Sequence, residues 1–130
     1  KGWGRRKADV KESVTANAPS SIMKMDELMD RVGGDRNLLK ELAELFLEKL
    51  PGYLERIDKA LEERNPQALS ESAHALKGAA SSFSALQVAG AAQTLENLGR
   101  RSEMVNVGQA RRELGDHLEA FAEVLKILAQ

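Results

Sequence analysis

The clearest helical pattern in the chain lies in Ala73-His74-Ala75-Leu76-Lys77-Gly78-Ala79-Ala80-Ser81-Ser82-Phe83. Apolar residues recur through this segment, and just before it, at intervals of three and four: Leu69, Ala73, Leu76, Ala80 and Phe83. This spacing predicts a helix with a narrow apolar stripe that packs against its neighbours in a bundle. At about 100° per residue, His74 points roughly 140° away from the centre of the stripe, so we expect its side chain in solvent.

The outward face of this helix combines His74 with Lys77 and Gly78. An exposed imidazole is largely neutral at neutral pH, and a neutral imidazole is a nucleophile that can form covalent intermediates. Lys77 lies one turn away and would neutralise an incoming anion such as a phosphoryl group. Glycine inside a helix costs about 1 kcal/mol relative to alanine. Gly78 is explained if the backbone or active site of another protein must come close to His74.

These residues carry a family resemblance. The segment His74-Ala75-Leu76-Lys77-Gly78, followed by small residues, resembles the H-x-L-K-G signature of histidine-phosphotransfer (HPt) domains. The resemblance covers about residues 24–129. It implies a helical bundle that relays a phosphoryl group between the aspartates of receiver domains, often as the last module of a hybrid sensor histidine kinase.

The resemblance also implies a role for each site residue. His74 is expected to be the phosphoacceptor, Lys77 to offset the phosphoryl charge, and Gly78 to lie beside the phosphoryl group. HPt domains commonly have glutamine or glutamate where Glu96 stands, and this side chain can hydrogen-bond the histidine ring. Such a bond would hold one tautomer and leave the ring nitrogen Nε2 to take the phosphoryl group.

Expectations for cofactors and partners follow from the same resemblance. We expect no cofactor in this chain, because the Mg²⁺ ion needed for transfer would belong to the partner receiver domain. Receiver domains are the expected partners, bound transiently by a monomer. The domain would be a phosphocarrier and not an enzyme by itself, whereas its parent chain would be a sensor histidine kinase. Its expected location is the cytoplasm, with a tether to a membrane-bound kinase as one arrangement.

Composition excludes several other classes of protein. A chain of 130 residues with 42% hydrophobic content supports one domain with one core. The 19 basic and 20 acidic residues leave a net charge of −1, which argues against nucleic-acid binding. The chain has no cysteine, so disulfides and thiolate metal sites are excluded. No glycine-rich phosphate loop indicates ATP binding, and no apolar run reaches the roughly 18 residues of a membrane span.

The order of helix signals predicts an all-α fold, an antiparallel up-down-up-down four-helix bundle with a short extra N-terminal helix. Residues 1–21 are basic and lack an apolar period, which predicts a flexible linker or a cloning remnant, and residues 22–130 form the HPt bundle. The predicted helices are 22–32, 35–64 with a kink at Pro51-Gly52, 66–83 after the Asn65 cap, 85–98 and 107–128.

Two turn positions and the second histidine complete the predictions. Ser84 stands where HPt domains usually have glycine, and with Gln87 it predicts a capping box that starts the next helix. Gly99 is predicted to end that helix. His117 lies close to an apolar stripe, which predicts a partly buried packing residue.

Two other functions stay open at this point. One is a helical docking bundle without phosphotransfer, in which a His74→Gln variant would behave like wild type. The other is the dimerisation and phosphoacceptor domain of a histidine kinase, although the proline that follows the histidine box in that family is missing here. A chemotaxis-kinase phosphotransfer domain is a further variant of the HPt interpretation.

Overall fold

The structure is a computed structural model that describes residues 25–130, so the predicted linker lies outside the described residues. In this part of the chain, every regular element is a helix. The helices are α1 (Met25–Arg31), α2 (Arg36–Glu62), α3 (Pro66–Ser82), α4 (Leu86–Arg100) and α5 (Val107–Leu128).

The four long helices form a ring in which each packs against two others. Helix α3 contacts α2 and α4, and α5 contacts α4 and α2. Short connections join them in sequence, so neighbouring helices run antiparallel. This confirms the predicted all-α bundle with a short N-terminal helix. The described part of α1 begins at Met25 and ends at Arg31, one residue before the predicted end.

The predicted apolar stripe of α3 is the centre of the core. Leu69, Ala73, Leu76 and Ala80 are fully buried, and Phe83 is nearly so. Helix α5 also has an apolar stripe in its sequence, in which Ala110, Leu114, Leu118, Phe121 and Leu125 are buried and the end positions Val107 and Leu128 are partly buried. Burial of one apolar face holds each of these helices in the bundle.

Three phenylalanines from different parts of the chain meet at one end of the bundle. Phe46 of α2 makes edge-to-face contacts with Phe83 at 5.4 Å and with Phe121 at 5.1 Å between ring centroids. Edge-to-face packing is a favoured geometry for aromatic rings. These contacts tie the end of α3 to α2 and α5.

Two predicted helix starts are confirmed by their caps. The Asp35 side chain accepts a hydrogen bond from the Leu38 N–H at 3.0 Å, and the Asn65 side chain accepts one from the Ala68 N–H at 3.0 Å. Pro66 follows at the first position of α3, where its missing N–H costs nothing. Helix α2 runs without interruption through Pro51, as predicted.

The connections that follow α2, α3 and α4 share one backbone conformation. Each has a residue other than glycine with a positive φ: Arg64 at 51°, Ser84 at 54° and Ser102 at 57°. In each case the next N–H donates back to a carbonyl in the last turn of the helix, at 2.9 Å. These bonds are Asn65 N–H to Ala60 O, Ala85 N–H to Ala80 O and Glu103 N–H to Leu98 O. The pattern is that of a left-handed helix stop, which favours glycine.

The predicted capping box at Ser84 is wrong. Helix α4 has Ala85 at its N-cap position and no side-chain cap, so Ser84 does not cap α4. Ser84 is instead buried in the left-handed conformation, and its hydroxyl donates to Glu27 of α1 at 3.1 Å. The conformation explains why a glycine suits this position: glycine adopts it without a steric penalty.

The predicted end of α4 at Gly99 is also wrong. The helix continues to Arg100, and Gly99 is a buried residue inside it. Its role is set by packing against α3 and not by helix termination.

Helix α1 supports the end of α3. The guanidinium of Arg31 donates to the carbonyl oxygens of Ser81 and Ser82, both at 2.7 Å. Both carbonyls lie in the last turn of α3, where no N–H four residues on in the helix is available, and Ser81 O also accepts from the Ser84 N–H at 2.9 Å. Within residues 25–130, no helix is both long enough and apolar enough to cross a bilayer.

Candidate functional site

His74 lies in the middle of α3 with its ring in solvent. Its side chain is 63% exposed, as its position opposite the apolar stripe predicts. The ring nitrogen Nδ1 lies 3.0 Å from Oε2 of Glu96 on α4. The structure therefore brings together the predicted phosphoacceptor and the predicted orienting residue.

Glu96 is almost completely buried, with 1% of its side chain exposed. Its carboxylate contacts two cations in addition to His74. Lys77 Nζ lies 3.0 Å from Oε1, and a guanidinium nitrogen of Arg100 lies 2.8 Å from Oε2. One buried carboxylate thus joins the histidine of α3 to a lysine of α3 and an arginine of α4.

These contacts keep Glu96 ionised. Burial alone would raise the pKa of the Glu96 carboxyl, but the contacts with Lys77 and His74 and the charges of Lys77 and Arg100 outweigh it and lower the pKa below its ordinary value. An ionised carboxylate can only accept hydrogen bonds. His74 therefore donates through Nδ1–H, and in the neutral ring the lone pair is then on Nε2.

Lys77 is tied to α4 at two points. Besides Glu96, its ammonium donates to Oε1 of Gln93 at 2.9 Å, and the Gln93 amide donates in turn to Asn97 at 2.9 Å. The lysine side chain is 27% exposed. An ammonium has three N–H donors. One donates to Gln93, whereas the contact with Glu96 is an ion pair in which Oε1 accepts no hydrogen bond within the described residues.

Gly78 lies one turn after His74 and is exposed. A methyl group placed on its Cα would have no atom within 4 Å outside the local backbone of its own helix. The packing of the domain itself therefore does not require glycine at this position.

On each of the two helices, residues spaced seven apart, which is about two helical turns, lie on the same side as the His74–Glu96 contact. We call them together the α3–α4 face; its members are Gln67, His74 and Ser81 on α3 and Leu86, Gln93 and Arg100 on α4. All are exposed except the partly buried Gln93. Leu86 is a large apolar residue with 53% exposure. The other exposed residues of α3 and α4 are mostly small and uncharged, whereas those of α2 and α5 are mostly charged.

Arg100 and Gln93 belong to the site, although neither was predicted from the sequence. The spacing of four residues between Glu96 and Arg100, and between Gln93 and Asn97, is the signal that could have found them, because such pairs lie side by side on a helix.

His117 is partly buried on α5, as predicted. Within the described residues, no group of three or more His, Cys, Asp or Glu side chains is arranged to hold a metal ion.

Comparison with known proteins identifies the family. The chain is 31% identical over 87 residues to the phosphorelay intermediate protein YPD1 of Candida albicans, and the match covers 67% of this chain and 44% of that relative. No solved structure was found that matches the chain. The model of the Hpt domain family matches residues 41–124, which include all of the site described above. The chain therefore belongs to the Hpt domain family.

Proposed function

We propose that this domain carries a phosphoryl group on Nε2 of His74 between receiver domains of a two-component phosphorelay. The observation that supports it most is the His74–Glu96 contact. A buried, ionised carboxylate holds the proton on Nδ1 and leaves the exposed Nε2 with the lone pair that a nucleophile needs.

The transfer step can be written with these atoms. The Nε2 lone pair attacks the phosphorus of a receiver's aspartyl phosphate, an N–P bond forms, and the bond from phosphorus to the aspartate oxygen breaks. The aspartate leaves as a carboxylate. Positive charge that develops on the ring is stabilised through Nδ1–H by Glu96, 3.0 Å away. The reverse step, on a second receiver, returns the lone pair to Nε2.

The charges around His74 suit an anionic group. Two permanent cations, Lys77 and Arg100, surround a single carboxylate, so the site has an excess of positive charge while His74 is neutral. Lys77 has N–H donors beyond the one that it gives to Gln93, and we assign one of them to a phosphoryl oxygen. An ion pair or charge-assisted bond of this kind stabilises the phosphorylated state.

We propose the α3–α4 face as the surface on which receivers dock. Arg100 is its one permanently charged member, and the exposed residues around it on α3 and α4 are mostly small and uncharged, as at the centre of a protein interface, where charged residues are depleted. Leu86 is its apolar anchor, and Gly78 lets the partner's active site approach His74. A transient complex with a small interface fits a carrier that must release one receiver before it meets another.

Other features of the proposal concern the partner and the parent chain. We assign any Mg²⁺ ion to the receiver, so that the domain is a monomeric phosphocarrier and not an enzyme by itself. A hybrid sensor histidine kinase is our proposal for the parent chain, with the domain on its cytoplasmic side.

The test is transfer of radiolabelled phosphate from a phosphorylated receiver to the domain. We expect label on wild type that is acid-labile and alkali-stable, as a phosphohistidine is, and none on His74→Gln. The chain offers a matched control in its second histidine, so His117→Gln should take up label like wild type.

The same experiment separates the alternatives. Label on His74→Gln would assign the phosphoacceptor to another residue. Absence of label on folded wild type, offered several receivers, would favour the inert docking bundle. A dimer in sedimentation would favour the kinase dimerisation domain, which needs two chains.

A further inference from the structure

Gly99 marks the closest approach between the two helices that form the site. A methyl group placed on its Cα would lie 2.7 Å from the carbonyl oxygen of Pro66, 2.8 Å from the backbone nitrogen of Ser70 and 3.1 Å from the Cα of Ser70. All three atoms belong to the backbone of α3, so no side-chain rotation could relieve the clash. Only glycine lets α4 come this close.

The contact belongs to a regular series between α3 and the antiparallel α4. Gly99 meets Ser70, Glu96 meets His74, and Gln93 meets Lys77, so successive contacts are one helical turn apart on both helices. Gly99 is thus next to the His74–Glu96 contact in this series. Helices are stiff over one turn, so the separation at Gly99 fixes the separation at Glu96.

We infer that Gly99 is a positioning residue for phosphotransfer: it sets the distance between α3 and α4 at which the Glu96 carboxylate reaches Nδ1 of His74. This inference rests on the proposed function of His74. The two glycines of the site then have different roles. Gly78 leaves space for a partner outside the domain, whereas Gly99 allows α3 and α4 to pack closely inside it.

A single methyl group at position 99 matters because the His74–Glu96 hydrogen bond forms only over a narrow range of distances. Ordinary contact distances between heavy atoms are about 3.5 Å or more, so alanine at position 99 must push α4 outward by roughly 0.5 Å or more. The His74–Glu96 distance of 3.0 Å is ordinary for an N–H···O hydrogen bond, and an increase of about 0.5 Å would take it beyond the usual range of about 2.7–3.2 Å. A displacement of this size weakens the bond, and the ring proton is then free to move to Nε2.

The experiment combines Gly99→Ala with two readouts on the full chain of 130 residues. Nitrogen-15 NMR of the histidine ring shows which nitrogen of His74 carries the proton, and transfer from a labelled receiver gives the rate. In wild type we expect the proton on Nδ1. In Gly99→Ala we expect a large share of Nε2–H tautomer and a transfer rate lower by about tenfold to a hundredfold.

Gly52→Ala is the matched control. Gly52, like Gly99, lies inside a helix, but it is exposed, and a methyl group there would have no atom within 4 Å outside the local backbone of its own helix. We expect it to leave both readouts unchanged. The variant also provides a more stable background for Gly99→Ala, since alanine is the better helix former.

A double-mutant cycle tests whether Gly99 acts through Glu96. In a Glu96→Ala background, Gly99→Ala should change neither the tautomer nor the transfer rate further. Equal losses of rate in both backgrounds would assign Gly99 to the fold as a whole and overturn the inference. A folded Gly99→Ala with the wild-type tautomer and rate would overturn it too, as would a variant that cannot fold even with Gly52→Ala.

The tautomer readout needs no phosphoryl transfer. If wild type takes no label while its His74 proton sits on Nδ1 and moves in Gly99→Ala, the proposed function fails and the positioning role of Gly99 stands.

Discussion

Glu96 is the residue on which the chemistry of His74 depends. It is buried, charged and in contact with three polar side chains from two helices. A buried charge is stable only when it is paired and hydrogen-bonded. Removing the carboxylate therefore affects both the ring that it orients and the cations that it neutralises.

Replacement of Glu96 by alanine should slow transfer much more than replacement by glutamine. Alanine removes the acceptor for Nδ1–H, and loss of such a supporting partner typically costs about 10- to 100-fold in activity. Glutamine has the same length as glutamate and keeps a carbonyl oxygen that can accept from Nδ1–H, so we expect the transfer rate to fall by less than about tenfold. Single-turnover transfer rates from a labelled receiver measure both. Equal rates for the two variants would show that an acceptor oxygen at position 96 does not determine the transfer rate.

The lowered pKa of Glu96 also predicts a pH dependence of stability. Because the pKa of this carboxyl is lower in the folded than in the unfolded state, its ionised form stabilises the fold at any pH above the unfolded value, about 4.3. That contribution is lost as the pH falls through the lower folded value. The free energy of unfolding of wild type, compared with that of Glu96→Gln, should be constant above about pH 5.5 and decline below about pH 4.

Urea denaturation of the two proteins between pH 2 and pH 7 makes the comparison. Other carboxyl groups titrate in both proteins, so the difference between the two curves isolates Glu96. A difference that does not change with pH would contradict the ionised, stabilising carboxylate.

Within helix α3, glycine at position 78 lowers the stability of the helix but leaves space for a partner beside His74. Gly78 has open space around its Cα and lies in the middle of a helix, where alanine would be more stable. Nothing within the described part of the domain requires the glycine.

We expect Gly78→Ala to raise the free energy of unfolding by up to about 1 kcal/mol and to slow transfer by about tenfold, because its methyl group meets the incoming receiver. Urea denaturation and transfer rates measure the two effects. Gly52→Ala, with similar open space on α2, should stabilise without slowing transfer. If Gly78→Ala transfers at the wild-type rate, the receiver does not come close at that point.

The helices were more predictable than their junctions. Apolar spacing placed Leu76 in the core and His74 outside it, because a single helix determines which residues share a face. Ser84 was assigned wrongly, since serine before a helix usually caps it and the left-handed backbone depends on the preceding turn. Gly99 was assigned wrongly because its role is a contact with another helix, which sequence spacing within α4 cannot show.

For the site, too, residues on one helix could be grouped from the sequence, whereas contacts between two helices could not. His74, Lys77 and Gly78 were found from one short segment, because they lie on one helix. The burial of Glu96 and its bond with Arg100 required the pairing of α3 with α4, and the phase of α4 alone places Glu96 only at the edge of the buried side.

For the whole molecule, charge is distributed unevenly around the bundle. The exposed residues of α2 and α5 are mostly charged, whereas the α3–α4 face contains Leu86 and few charges. A surface of this kind is suited to a partner, and the charged surfaces are suited to solvent.

Leu86→Asp should weaken docking without disturbing the fold. Position 86 begins α4, where an acidic side chain interacts favourably with the helix dipole. We expect the receiver concentration for half-maximal transfer to rise by about tenfold, which corresponds to about 1.4 kcal/mol. Leu45→Asp is the matched control, because Leu45 on α2 is similarly exposed, at 45% against 53%. An equal loss in both variants would place the docking surface elsewhere.

The three left-handed helix stops have a consequence for engineering thermal stability. Arg64 and Ser102 are exposed and adopt a left-handed conformation that glycine adopts at a lower energetic cost. Glycine at these two turns should therefore raise the free energy of unfolding. Arg64→Gly and Ser102→Gly should each add about 0.5 kcal/mol and together raise the melting temperature by a few degrees. Calorimetry would measure the gain. Since neither position lies on the α3–α4 face, a more heat-resistant carrier would keep its transfer rate.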